Sequence, residues 1–356
     1  MKRTPKIKIF LTFDHELPLG GVRTTWDDVL FQPTQTLFDV ADELGVKITL
    51  FTDVLCAIKF KEWDHAGYYL PYVEQIKSAV TKGHDVQLHL HPHWLTSTFS
   101  GNKFSPSDDY SLTDFVVEKN GYDINRIIKD GVDFLNDTLK PSFLNYSCNA
   151  FRAGGYNLGD ELSRSVILTA LYKHGIRYDS SIAKGYYFNS KISEVDYRHV
   201  PSKCNWFLSL DGQLNKESNN TILEIPIASI PKSPFEIPTF LKMKKFAHRA
   251  PLSRGYQIHD GKPGNLNNKI KVFMSSRMLG FDNYTYQFDY LLKILDHNIR
   301  KYHNQDIVML SAVGHPKTMG DYAWDMMRHF VINARKKYPE IEFSTFTNLS
   351  RPNVTG

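Results

Sequence analysis

The sequence predicts an α/β fold in which a parallel sheet closes into a barrel. Three observations carry this. Short apolar runs rich in branched residues alternate with helical segments along most of the 356 residues, glycines stand at helix ends, and the acidic and histidine-rich motifs fall just after strands. Repeated strand-then-helix order argues for parallel strands, and this many units argues for a barrel. Chemistry on such a fold belongs at the C-terminal ends of the strands.

In chain order, residues 6–13 read as a strand and 33–44 as a helix, with Pro33 in its first turn and Gly45 at its stop. Residues 47–52 give a second strand, 71–82 a second helix closed by Gly83, and 84–90 a third strand. Residues 112–139 read as mostly helical, and a strand begins at 149–152. Further units fall at 159–173, 223–227, 282–302, 307–312 and 319–337. One stretch breaks the alternation. From Lys232 to Arg277 ten Lys or Arg face two acids, a local charge of +8 against +5 for the whole chain. We read 232–281 as a basic lid inserted into a single domain spanning 1–356. Within it Phe240, Met243 and Phe246 or Ala247 recur at near-helical spacing among Lys242, Lys244, Lys245 and Arg249. Such a helix suits packing on the barrel, and it also suits a substrate diphosphate, an anionic membrane surface or a lipid-linked saccharide.

Hydrophobic residues at 42% and charged residues at 23% are the balance of a soluble globular protein. The apolar run from Ile7 to Phe13 is short, interrupted by Lys8, and followed by Asp14, His15 and Glu16, unlike a signal peptide. No segment has the length of a membrane span, so a cytoplasmic location is expected. Cys56, Cys148 and Cys204 are odd in number and widely spaced, which gives no disulfide framework and no CxxC site. The excess charge is local and no nucleic-acid reader motif accompanies it, so nucleic acid is not expected as a partner.

The strongest chemical signal is GHDVQLHLHPHW, from Gly83 to Trp94, with His84, His89, His91 and His93. His89 and His93 stand at i, i+4, and Pro92 argues against a strand running through His93. If the strand ends near Leu90 and a helical twist follows, both imidazoles converge on one ion, and two imidazoles need one carboxylate to make a catalytic zinc site. His84, at the strand's start, has a packing role. The second signal is LTFDHE, from Leu11 to Glu16. Asp14 and Glu16 point to one face of the strand, so one can bind an ion while the other serves as a general base.

These two motifs carry a resemblance to the NodB-type polysaccharide deacetylases (carbohydrate esterase family 4). FRAGGY (151–156), YDSSI (178–182), LEIPI (223–227) and VGHPK (313–317) follow in the family's order. The resemblance implies an irregular (β/α) barrel with one divalent metal ion, Zn2+ by preference, held by His89, His93 and an acidic-motif residue. That residue is either His15 or Glu16, with strand alternation and the hardness of a carboxylate favouring Glu16. It further implies Asp14 as base, Arg152 as its partner, the Tyr156 backbone N–H as oxyanion donor, Asp179 as a supporting carboxylate, and His315 as acid. The sequence departs from the family at His15, at the extra His91, and at Gly154–Gly155, where proline is common. The implied activity is hydrolysis of an N-acetyl group on a saccharide. A non-sugar amide or ureide is the alternative within hydrolases, and a catalytically inactive saccharide-binding relative is the alternative outside them.

Overall fold

The computed structural model describes residues 5–18, 22, 24–100, 103–190, 193–236, 266–282 and 287–349. Seven parallel strands form the barrel in sequence order: β1 (Lys6–His15), β2 (Thr49–Asp53), β3 (Asp85–Leu90), β4 (Ala150–Ala153), β5 (Tyr178–Asp179), β6 (Ile222–Glu224) and β7 (Ile307–Gly314). Closure between β6 and β7 is irregular. A single parallel bridge, Ile227 to Ser311, joins them, with Ala228 N–H donating to the Ser311 carbonyl at 2.9 Å. Below it the Asn205 side chain stands in for a strand: its amide accepts from Met309 N–H at 3.0 Å and donates to the Met309 carbonyl at 2.8 Å. Above it the segment 279–281 is wedged in, Leu279 N–H bonding Ala228 and Phe281 N–H bonding Val313. Two further strands lie outside the ring, Trp206–Leu208 antiparallel to β6 and Glu342–Ser344 parallel to β1.

Helices α1 (Gln32–Glu43), α2 (Val54–Trp63), α3 (Leu70–Thr81), α4 (Ile124–Leu139), α5 (Glu161–Lys173), α6 (Leu266–Phe273), α7 (Phe288–Lys301) and α8 (Asp321–Lys337) accompany the strands. Asp123 caps α4 by accepting from Arg126 N–H at 2.7 Å, and Asp160 caps α5 by accepting from Ser163 N–H at 2.9 Å. The expected long helix over 112–139 is split. Asn120 and Gly121 adopt φ of 54° and 79°, which no α-helix accommodates, and only a short turn at Leu112–Phe115 precedes α4. Helix α2 was not expected, and α7 begins at Phe288 and not at residue 282.

The described ends of the basic insertion fold onto the barrel: Ser229–Pro231 pairs antiparallel with Ser276–Met278, beside α6. The lid-helix residues 240–249 lie outside the described residues. Among the described residues no helix is long and apolar enough to cross a membrane. All three cysteines are buried and free, as their spacing suggested.

Strand alternation sorts the side chains into two cores. Outward residues such as Ile9, Leu11 and Phe13 of β1, Val86, Leu88 and Leu90 of β3, and Leu310 and Ala312 of β7 join the large core. Inward residues Phe10, Phe51, Ala150, Tyr178, Leu223 and Met309 form a second, smaller core inside the barrel with Phe346. The inner face of β1 therefore reads Phe10, Thr12, Asp14, and the next inward position beyond the strand is Glu16. On β3 the same inner face carries Gln87, His89 and, just past the strand, His91. The apolar layer gives way to a polar one toward the C-terminal end.

Candidate active site

Buried Arg152 on β4 organises the polar layer. Its Nη1 donates to Asp14 Oδ1 at 2.6 Å, Nη2 to Thr12 Oγ1 at 2.7 Å and Ser180 Oγ at 3.1 Å, and Nε to the Ser180 carbonyl at 2.9 Å. The guanidinium also lies 4.4 Å from the centre of the Phe51 ring. Burial alone would raise the Asp14 pKa, but Arg152 first, then His89 and His315, hold it well below the ordinary carboxylate value. Asp14 is therefore ionised, with Oδ1 fixed and Oδ2 turned toward His315 Nε2 at 3.4 Å.

His89, His91 and Glu16 bring three donor atoms together. His89 Nδ1 lies 2.9 Å from the Arg152 carbonyl, an acceptor, so Nδ1 carries the proton and Nε2 presents its lone pair. That Nε2 lies 3.1 Å from His91 Nε2 and 3.6 Å from Glu16 Oε2. His91 Nε2 also closely approaches Glu16 Oε2, yet without hydrogen-bond geometry, and Oε2 has no hydrogen-bond partner. Tetrahedral zinc with bonds of about 2.0–2.2 Å separates its ligand atoms by about 3.3–3.5 Å, and the 3.1 and 3.6 Å spacings bracket that value. Two imidazoles and one carboxylate also favour zinc over magnesium or calcium. The donor set fits a divalent ion.

Surrounding groups fix these donors. Lys317, nearly buried, places Nζ 3.0 Å from Glu16 Oε1, leaving Oε2 to face the imidazoles. Burial would raise the Glu16 pKa, but Lys317 and then His91 hold it well down. Asp53, at the end of β2, accepts from His91 N–H at 3.3 Å and from Trp94 Nε1 at 2.6 Å, fixing the turn after β3. Gly154 makes room for His91: a Cβ there would stand 2.5 Å from the Leu90 carbonyl oxygen and 2.8 Å from His91 Nδ1. The departure from proline in FRAGGY thus has a steric reason.

Two expected ligands are not brought into this cluster. His15 points outward from β1 and pairs with Thr52 Oγ1 at 2.9 Å and Gln75 Oε1 at 2.8 Å. His93 is carried away by a short 3-10 turn from Pro92 to Leu95 and packs between Trp94 and Tyr110, its ring centre 4.6 and 5.0 Å from theirs. Neither joins the two donor groups found among the described residues, Glu16–His89–His91 and Asp14–Glu16–His315. The strand-end geometry explains the correction: His91 is still extended (φ −115°, ψ 95°), so alternation pairs His89 with His91 and not with His93.

Asp14–Glu16–His315 suits proton transfer better than metal binding. His315 Nδ1 lies 2.6 Å from Asp282 Oδ2. Burial would lower the His315 pKa, but Asp282 and Asp14 outweigh it and raise it to about 10. His315 is then a proton donor aimed at Asp14 and Glu16. Asp282 escaped sequence reading because the wedge at 279–281 brings it to β7, and no motif marks it. Lys317 was visible only as the last residue of VGHPK.

Asp179 lies one layer behind, out of contact with the reacting groups. Its carboxylate accepts from Ser181 N–H at 3.0 Å and Ser181 Oγ at 2.8 Å, and Ser181 Oγ accepts from Ala153 N–H at 2.9 Å. It is a positioning residue for the chain that holds Arg152, not a catalytic one. It stands across from Glu224 in the β5–β6 register. Burial and then the Asp179 charge push the Glu224 pKa well up, so the pair keeps one proton. Tyr156 has φ of 60°, unusual for a tyrosine, and its carbonyl is held by Tyr197 Oη at 2.5 Å.

The site opens on a pocket of about 340 Å³ lined by Tyr156, Tyr186, Lys232, Ser276, Arg277, Met278, Gly280, Asp282, Val313 and His315. Solved structures similar to this chain include polysaccharide deacetylases. A Mycobacterium smegmatis protein assigned as a polysaccharide deacetylase shares 13% identity over 96% of this chain and 88% of its own, with a TM-score of 0.46. A Pseudomonas aeruginosa PAO1 protein assigned likewise shares 10% over the same proportions, with a TM-score of 0.46. The allantoinase Puue shares 10% over 96% and 88%, with a TM-score of 0.47. No protein-family model and no curated protein sequence matches the chain.

Proposed function

We propose that this chain is a metal-dependent hydrolase that removes the N-acetyl group from an amino sugar in a cytoplasmic saccharide or glycan precursor. One observation carries the reading. Glu16 Oε2, His89 Nε2 and His91 Nε2 face one another without a hydrogen-bond network to satisfy them, beside an ionised carboxylate and a protonated imidazole.

Glu16, His89 and His91 would hold the ion, zinc by donor type, which when bound supplies Lewis acidity toward water and carbonyl oxygen. Asp14 accepts a proton from the attacking water at Oδ2, while Arg152 keeps Oδ1 in place and the carboxylate ionised. His315 gives its Nε2 proton to the departing nitrogen, which leaves poorly as an amide anion, and Asp282 holds the ring through Nδ1. The Tyr156 backbone N–H, in a left-handed turn at the pocket wall, is the proposed donor to the developing oxyanion. A pocket of this volume suits a monosaccharide-sized group.

The test is stoichiometric release of acetate and free amine from a panel of N-acetyl sugars, with a ureide as a separate arm. Asp14→Asn should keep its metal and lose roughly two to four orders of magnitude in turnover. Acetate release that is unchanged in Asp14→Asn would refute the assignment, and turnover of the ureide alone would redirect it to another amide.

A further inference from the structure

The pocket beside His315 carries a second chemistry at its far wall. Among the described lining residues two are permanent or near-permanent cations, Lys232 and Arg277, and one is acidic, Asp282. Asp282 is already engaged, with Oδ2 2.6 Å from His315 Nδ1 and 3.1 Å from Thr318 Oγ1. The two basic residues are set by local architecture. The Ser229–Pro231 and Ser276–Met278 hairpin pairs Ile230 with Arg277, and Lys232 follows directly. Lys232 Nζ donates to the Val272 carbonyl at 2.6 Å and to Ser275 Oγ at 2.8 Å, at the C-terminal end of α6.

These acceptors are neutral. They orient the ammonium without cancelling its charge, and burial together with the nearby Arg277 charge disfavours the protonated lysine. Two like charges on one pocket wall cost free energy in the free protein, and a bound anion would recover it. An ammonium and a guanidinium together offer the several convergent donors that a phosphate oxygen set accepts.

We infer that this wall is an anion-accepting subsite and that the amino sugar this chain acts on carries a phosphate, as a sugar phosphate or as a diphosphate-linked sugar. The inference rests on the deacetylase reading and names its substrate class. The acetamide lies toward His315 and the phosphate toward Lys232 and Arg277.

The experiment measures dissociation constants at fixed ionic strength for inorganic phosphate, pyrophosphate and matched sugars. The sugars are N-acetylglucosamine and N-acetylgalactosamine, each as the neutral sugar, the 1-phosphate, the nucleotide diphosphate and a short prenyl diphosphate. The phosphorylated member of a pair should bind at least tenfold more tightly than the neutral one. That ratio should fall at least fivefold in Arg277→Gln and be partly retained in Arg277→Lys. Lys232→Met, which also loses the α6 contact, is read beside a thermal melt. The nucleotide and prenyl arms identify which source of diphosphate is preferred, and either preference supports the subsite. Equal binding of neutral and phosphorylated sugars, or a ratio unmoved by Arg277→Gln, overturns it. Brisk acetate release with no phosphate preference sinks the subsite and leaves the hydrolase. Phosphate-selective binding with no acetate release from any sugar does the reverse.

Discussion

Replacing Gly154 with alanine should cost this protein its metal while leaving it folded. The added Cβ would stand 2.5 Å from the Leu90 carbonyl oxygen and 2.8 Å from His91 Nδ1, where carbon–oxygen contacts close at about 3.3 Å. About 0.8 Å of separation must be found. Leu90 pairs with Ala153 across the β3–β4 ladder, so both backbones are pinned, and the displacement falls on the turn that carries His91. Metal–ligand distances tolerate about 0.2 Å, so His91 is lost from a set of three ligands and zinc affinity should drop at least 100-fold. The overpacking should lower stability by about 1–3 kcal/mol. Zinc affinity is read by competition with a chromophoric chelator, and folding by circular dichroism. Wild-type zinc affinity in a folded Gly154→Ala protein would refute both the steric role of Gly154 and the ligand role of His91.

His93→Phe separates the sequence expectation from the structural one. Both ring nitrogens of His93 are buried without hydrogen-bond partners, so an apolar ring of similar shape should leave stability equal or higher and metal content intact. Loss of metal in that variant would make His93 a ligand after all. Lys317→Met removes the clamp on Glu16 Oε1 and should weaken zinc about 10–100-fold, with Lys317→Arg intermediate. Unchanged affinity in Lys317→Met would remove that role. Glu224→Gln bears on the buried carboxyl pair. Unfolded, Glu224 loses its proton near the ordinary 4.5, whereas folded it keeps it to a much higher pH. The folded state thus holds a proton that the unfolded chain lacks, and stability falls as pH rises above that value, by up to about 1.4 kcal/mol per pH unit. Gln supplies an N–H where the carboxyl supplied its O–H, so urea unfolding between pH 5 and 8 should show a flatter slope in the variant. Identical slopes would mean that Glu224 is not protonated in the fold.

Much of the barrel was legible because period-2 and helical patterns alternate along the chain. The placing of Asp14 and Glu16 on one face followed from strand alternation alone. The same rule, carried one residue further, would have paired His89 with His91. Expecting the strand to give way to a helical twist at Leu90 put His93 there instead, whereas the chain stays extended through His91 and turns only at Pro92. Asp282 was illegible for a different reason. Its place depends on the returning end of a long insertion, wedged between β6 and β7 by backbone hydrogen bonds that no side-chain pattern records. The Asn205 seam is hidden in the same way, since a side-chain amide there does the work of a strand. Arg152 and His315 came from a resemblance of short motifs, and the geometry supplied what the motifs lacked: what each atom touches.

The central claim is that amide hydrolysis depends on an ion held by Glu16, His89 and His91. Its most direct test is a zinc titration of chelator-stripped protein, followed by acetate release from the best N-acetyl sugar of the panel. The account predicts no release without zinc, a linear rise that saturates at one equivalent, and no saturating rise in His91→Ala. Full turnover in the stripped protein, or saturation at one equivalent in His91→Ala, would contradict it.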